Sequence, residues 1–257
     1  NTSNSTMIIT TFPMESILLR MTLIQVRPVF LEGRTASGNS QRPANRLLVD
    51  EATAAGVTLV AVTKFFPASD VRLLADLGIT DVGENRHQEA EPKAAECTDL
   101  DLRWHYIGGL QSNKAGAVAR YAHVVESLDR TKLVARLDRG AQERGRPVDV
   151  LLQVSLDPPG AEHRAGADPA DLAALADAVV AAEHLRLRGL MAVAPLGEEP
   201  SAAFDRLAGV RSTFLDHHPS ADVLSAGMSG DLEAAIAVGA THVRVGSAIL
   251  GSRPLDR

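Results

Sequence analysis

From residue 58 almost to its end, the chain alternates short apolar runs with longer segments of helical period, and this alternation leaves few folds open. The runs are Thr58–Thr63, Ile79–Gly83, Arg103–Ile107, His123–Ser127, Val148–Val154, Leu187–Val193, Asp222–Ser225 and His242–Val245. Val71, Leu74 and Ala75 share one face of the first intervening segment. Leu172, Leu175, Ala176 and Val179 share a face of another, with Asp177 and Glu183 left for solvent. Ser69, Asp129 and Ser229 are the expected helix caps, and Gly78, Gly140 or Gly145, and Gly239 the expected stops. Eight strand–helix units either close into a (β/α)8 TIM barrel or open into a doubly wound sheet. No Gly-x-Gly-x-x-Gly turn follows the first run, so a single-domain barrel over residues 47–257 is the expectation. A helix at Ala44–Ala55 should precede the first strand, and about one helical turn should follow the last.

Composition narrows the function. A net charge of -6 argues against nucleic acid as a partner, which would demand a basic face to displace counterions. The single cysteine, Cys97, excludes an internal disulfide and any cysteine-clustered metal site, and it suits a reducing, cytoplasmic location. No apolar stretch is long enough for a membrane-spanning helix, since Arg20 and Arg27 break the most apolar N-terminal run. No His-x-x-x-His pair with nearby acids offers a metal site. Residues 1–46, with five arginines and only Glu15 and Glu32 as acids, read as a flexible extension outside the fold, with Met7, Met14 or Met21 as alternative starts.

Chemistry in a barrel sits at the C-terminal ends of the strands, so the polar residue closing each run is the one to weigh. Lys64 closes the first. An amine in a poorly solvated mouth tends to lose its proton and become nucleophilic, which suits Schiff-base chemistry with an aldehyde; a lysine there can equally snorkel past the strand end. Lys93, among Glu89, Glu91 and Glu96, and Lys132 read as surface charges, which leaves Lys114 in Gln111-Ser-Asn-Lys114 as the rival. The two last units end in glycine-rich turns, Ser225-Ala-Gly-Met-Ser-Gly-Asp231 and Gly246-Ser247, where backbone N–H groups and hydroxyls suit a phosphate. Arg244 alternates with Val243 and Val245 and so points into the barrel, where it needs an acceptor. Asn85, His105 and Asn113 fall near the same mouth, either to bond a ligand or to satisfy loop backbone.

Leu59-Val-Ala-Val-Thr-Lys64, Val82-Gly-Glu-Asn85 with Gln88-Glu89, Trp104-His-Tyr-Ile-Gly with Leu110-Gln-Ser-Asn-Lys114, Leu187-Arg-Gly-Leu-Met191, Gly227-Met-Ser229 with Asp231-Leu-Glu-Ala-Ala-Ile236, and Val243-Arg-Val-Gly246 stand in one order along the chain. In that order they resemble the pyridoxal phosphate homeostasis protein family, over roughly residues 47–253. The resemblance implies a barrel like the N-terminal domain of alanine racemase, with pyridoxal 5′-phosphate (PLP) held by Lys64 as an aldimine. It implies that Arg244 faces the pyridine nitrogen. Ser225, Gly246 and Ser247 would hold the phosphate with help from the Met228–Ser229 turn, and Asn85 and His105 would line the pocket. Two positions depart from the family: Arg86-His87 replaces an aromatic-led pair, and Arg164-Ala-Gly166 replaces a lysine-led one.

The function so implied is a monomeric PLP carrier that buffers the cofactor or delivers it to PLP-dependent apo-enzymes in vitamin B6 homeostasis. A PLP-dependent amino-acid racemase is the alternative. It needs a second base opposite the lysine, for which only Tyr106 and Tyr121 are available as tyrosines. A phosphosugar-type barrel enzyme would use the same phosphate loops but leaves Lys64 unexplained unless it is an aldolase. Because the extension carries no barrel strand, trimming the chain to begin near Gln41 is expected to leave its cooperative melt and its uptake of PLP unchanged. Aggregation of the truncated protein, followed by light scattering, would place Met21–Leu31 in the core instead.

Overall fold

The computed structural model describes Ala52 and residues 56–158 and 165–251, which include all eight expected strands; the extension, and all but Ala52 of the expected helix at Ala44–Ala55, lie outside them. The strands are β1 (Thr58–Val62), β2 (Asp81–Glu84), β3 (Arg103–Tyr106), β4 (Val124–Leu128), β5 (Val148–Val154), β6 (Leu185–Ala192), β7 (Val223–Met228) and β8 (His242–Val245). Each pairs in parallel with its neighbour, and β8 returns to β1 to close the barrel. Helices α1 (Ala68–Asp76), α2 (His87–Glu96), α3 (Ala115–Tyr121), α4 (Val134–Arg144), α5 (Leu172–Val180), α6 (Pro200–His217), α7 (Leu232–Ala237) and α8 (Ser247–Leu250) follow the strands in order.

Alternation along the strands sorts residues into two layers. Leu59, Ala61, Val82, Trp104, Val243 and Val245 face outward and pack with Val71 and Leu74 of α1. Leu172, Leu175, Ala176 and Val179 bury the expected face of α5, while Asp177 stays exposed. The inner layer is divided. Val124, Leu151 and Met191 form a small apolar group, while His105, Glu126, Ser225 and Arg244 bring buried polar groups into the same interior. Among the described residues, no helix is long and apolar enough to cross a membrane.

The expected caps are displaced by a residue or more. Pro67, not Ser69, stands at the N-cap of α1, with the extended backbone usual at that position. Asp129 pairs with Arg130 at 2.5 Å rather than capping, and a 3-10 turn over Thr131–Leu133 leads into α4. Asp231, not Ser229, precedes α7, and its carboxylate accepts from the Met228 N–H at 2.6 Å. Gly145 does end α4, in the left-handed conformation.

Helices α3 and α4 approach so closely that a Cβ at Gly140 would overlap the Gly116 carbonyl oxygen and stand 2.8 Å from the Ala119 Cβ. Gly140→Ala must therefore push two helices apart although alanine is the better helix former. A loss of about 1–3 kcal/mol in denaturant unfolding is expected, the usual cost of overpacking, and a gain in stability would show that the contact yields.

Candidate functional site

The mouth of the barrel is assembled from neighbouring strands. β8 and β2 flank β1, so Lys64, just beyond β1, lies between the loops that carry Gly246-Ser247 and Asn85. Thr63, Lys64, Phe65 and Phe66 form a tight turn, closed by the Phe66 N–H donating to the Thr63 carbonyl at 3.0 Å. Phe65 has φ 71°, the positive sign that a type II turn demands at its third residue and that non-glycine residues rarely take. The Arg86 guanidinium lies 5.2 Å from the centre of the Phe65 ring, and the Phe65 N–H reaches Glu89 Oε2 at 3.4 Å. Lys64 occupies the corner of this turn, half-buried.

Across β1, a Cβ at Gly246 would come within 3.3 Å of the Val62 carbonyl oxygen, so a glycine lets the end of β8 lie close against the end of β1. Ser247 opens α8, and its hydroxyl lies 3.4 Å from that of Ser229 in the loop after β7. The structure thus brings Ser229, Gly246 and Ser247 together. Met228 is 40% exposed at the same rim, but its N–H is already engaged by Asp231.

Ser225 is placed differently from its expected role. β7 runs on to Met228, so Ser225 lies inside the strand, fully buried, and its hydroxyl donates to Glu126 Oε2 at 2.6 Å while accepting from Arg244 Nη1 at 2.7 Å. Arg244 also donates to the Ala192 carbonyl at the end of β6, at 2.8 Å, and approaches Glu126 to 3.8 Å. The acceptors that an inward arginine requires are therefore the Ser225 hydroxyl and the Ala192 carbonyl, and its counter-charge is Glu126, which sequence reading passed over although it stands as a lone acid in the apolar run His123–Ser127.

His105 completes this interior network. Its ring lies 2.7 Å from Glu126 Oε1 through Nδ1 and 2.9 Å from Asp81 Oδ1 through Nε2, at 2% exposure. It sits inside the barrel with both ring nitrogens engaged, whereas Asn85 is half-buried at the rim. Burial would by itself lower the imidazole pKa, but hydrogen bonds and charge from Asp81 and Glu126 raise it to about 9. Burial would raise Glu126, and His105, Arg244 and the Ser225 hydroxyl together hold it at about 2. Two cations and two carboxylates thus neutralise one another in the interior.

Lys93 corrects another expectation. Although its neighbours in α2 include exposed acids, it is 7% exposed and points inward. Its ammonium donates to Glu84 Oε1 at 2.5 Å and to the Thr63 carbonyl at 2.9 Å, and Thr63 Oγ1 donates to the same Glu84 oxygen at 2.6 Å. Glu84 belongs to β2 rather than to the loop after it. Arg86-His87 is accommodated too: Arg86 covers Phe65, and His87 stacks on Tyr121 with ring centres 5.9 Å apart. Asn113, in the loop after β3, lines an outer groove between α3 and α4 with Arg120, Arg136 and Arg139. Arg164 lies outside the described residues.

Comparison with known proteins fits this geometry. Residues 44–254 match the family model described as alanine racemase, N-terminal domain. The pyridoxal phosphate homeostasis protein of Corynebacterium glutamicum is 47% identical over 206 residues, covering 77% of this chain and 91% of its relative. That of Pseudomonas aeruginosa is 45% identical over 199 residues, covering 77% and 86%. The chain belongs to the pyridoxal phosphate homeostasis protein family. Among solved structures, PipY of Synechococcus elongatus with PLP bound superposes with a TM-score of 0.73 at 40% identity, covering 81% of this chain and 99% of PipY.

For this family member the interior network carries a definite pH dependence. His105 is raised from 6.5 to about 9, so its stabilisation is complete below pH 6.5 and is lost as pH rises through 9. Glu126 is depressed from 4.5 to about 2, so its stabilisation is complete above pH 4.5 and is lost as pH falls through 2. Urea unfolding between pH 6.5 and 9.5 should show a decline of roughly 3 kcal/mol attributable to His105. In His105→Gln the protein should be less stable overall and this slope should flatten; an unchanged slope would remove His105 as its source.

Proposed function

We propose that this chain binds PLP at the barrel mouth and serves vitamin B6 homeostasis by buffering the cofactor and delivering it to apo-enzymes. One observation carries the reading: an amine, a pair of hydroxyls and a buried guanidinium converge on one end of the barrel. Lys64 stands at the corner of a fixed turn, the Ser229 and Ser247 hydroxyls lie 3.4 Å apart at neighbouring strand ends, and Arg244 is locked below them. This donor set matches the three polar ends of PLP, an aldehyde, a phosphate and a pyridine nitrogen. The relative PipY, solved with PLP bound, supports the same reading.

When bound, PLP supplies an aldehyde carbon at which an amine adds, with loss of water, to form a C=N bond. Lys64 Nζ is the amine we assign to it. Ser229, Gly246 and Ser247 are assigned to the phosphate. Ser225, expected there, is assigned instead to holding Arg244, since its hydroxyl is already shared between Arg244 and Glu126. Arg244 is assigned to the ring nitrogen. A guanidinium keeps its protons, so a nitrogen facing it stays unprotonated and the ring is a poor electron sink. Asn85 borders the pocket, and His105 acts from beneath it through Glu126.

The placement of the two tyrosines favours a carrier over a racemase. Tyr106 packs in the helix-facing layer, and Tyr121 stacks on His87 between helices, so neither stands across the mouth from Lys64. Within this reading the protein acts as a cytoplasmic monomer.

Borohydride reduction of the PLP-loaded protein, followed by peptide mapping, should place the adduct on Lys64. Ser247→Asp, which puts like charge against the phosphate, should weaken PLP binding at least tenfold. An adduct on Lys114 with Lys64 unlabelled, or unchanged affinity in Ser247→Asp, would refute the respective assignment. Racemisation of alanine, serine or lysine near one turnover per second, the low end of ordinary enzymes, would make the protein an enzyme.

A further inference from the structure

Lys93 and Glu84 form a buried ion pair with no part in the interior network around Arg244. Glu84 is 1% exposed, and its Oε2 has no hydrogen-bond partner among the described residues. Burial leaves its carboxyl above the ordinary range although Lys93 and Thr63 both oppose this. Such a pair is a poor device for stability. Each buried ion carries a desolvation penalty, and well-packed apolar residues of similar volume often serve as well or better. What distinguishes it is where the ammonium ends: on the Thr63 carbonyl, the group that also closes the turn carrying Lys64. The turn needs such a hold, because Phe65 sits in the left-handed region, where a non-glycine residue persists only if its surroundings fix it.

We propose that Lys93 and Glu84 are positioning residues for Lys64: the buried pair clamps the Thr63 carbonyl and so fixes the turn from which the Lys64 amine reaches the mouth. Glu84 aims the ammonium and receives the Thr63 hydroxyl, so β1, β2 and α2 are joined at one carboxylate oxygen. The proposal rests on the reading of Lys64 as the amine that takes the PLP aldehyde. It predicts a defect confined to that covalent step, because, among the described residues, the hydrogen bonds of Lys93 and Glu84 go to Thr63 and to each other and none reaches Ser229, Gly246 or Ser247.

The test compares PLP with pyridoxine 5′-phosphate, which keeps the ring and phosphate but carries an alcohol in place of the aldehyde. In Lys93→Met, and in the double variant Glu84→Gln with Lys93→Met that leaves no lone buried charge, PLP affinity should fall about tenfold or more. The visible Schiff-base band should weaken, while pyridoxine 5′-phosphate should bind as in the unmodified protein. Lys93→Arg, which keeps a donor for the Thr63 carbonyl, should recover part of the band. Equal weakening of both ligands, or no change in either, would overturn the proposal. So would a double variant without a cooperative melt, since the pair would then be needed for the barrel itself. Lys64→Ala keeps the two readings apart: a Schiff-base band surviving there would refute Lys64 as the amine, whatever Lys93 does.

Discussion

Glu126 is the group on which the interior depends. A parallel barrel encloses its axis completely, so any charge placed there must be neutralised by side chains of the barrel itself. Glu126 does this from the middle of β4, accepting from His105 on one side and from Ser225 on the other, with the Arg244 guanidinium 3.8 Å away. Without it, Arg244 would be a buried cation held by one hydroxyl and one carbonyl, and His105 would keep only Asp81. Breaking a buried pair in this way costs about 3–5 kcal/mol. The guanidinium below the mouth is thus bound to strands on the far side of the barrel, and its position follows from closure of the sheet.

The rim is built on a different principle. There the groups are half-exposed, and geometry comes from backbone contacts: β8 lies against β1 at Gly246, and two serine hydroxyls meet across the ends of β7 and β8. The two regimes meet in Ser225, which belongs to the interior by its hydroxyl and to the rim by its strand. They also bracket Lys64, with the charged axis below it and, to one side, the pair from α2 and β2 that grips the preceding carbonyl.

Most of the architecture was legible because parallel barrel strands are buried on both faces and so read as apolar runs whose number is the number of strands. The eight runs fall on the eight strands, and the inward direction of Arg244 follows from its valine neighbours. What could not be read were contacts between residues distant in sequence. Lys93 among glutamates has the pattern of a solvated helix face, and only the approach of α2 to the end of β1, thirty residues away in sequence, buries it. Glu126 was visible as an acid inside an apolar run, a signal that marks a buried charge in search of a partner. Ser225 was read as part of the glycine-rich turn, whereas β7 continues three residues past it, to Met228. The helix caps failed for a local reason: a proline or a differently placed aspartate supplied the geometry first.

The left-handed Phe65 has a consequence for the tempo of the site. A glycine there would adopt the same φ without strain and would let the rim wander; a phenylalanine held beneath Arg86 does neither. With its backbone fixed on both sides, an amine at Lys64 explores space only through its own side-chain torsions, which interconvert in picoseconds to nanoseconds. In the reading proposed above, release of a captured aldehyde requires water to cleave the C=N bond, so a fixed turn makes that chemical step a necessary part of its residence time.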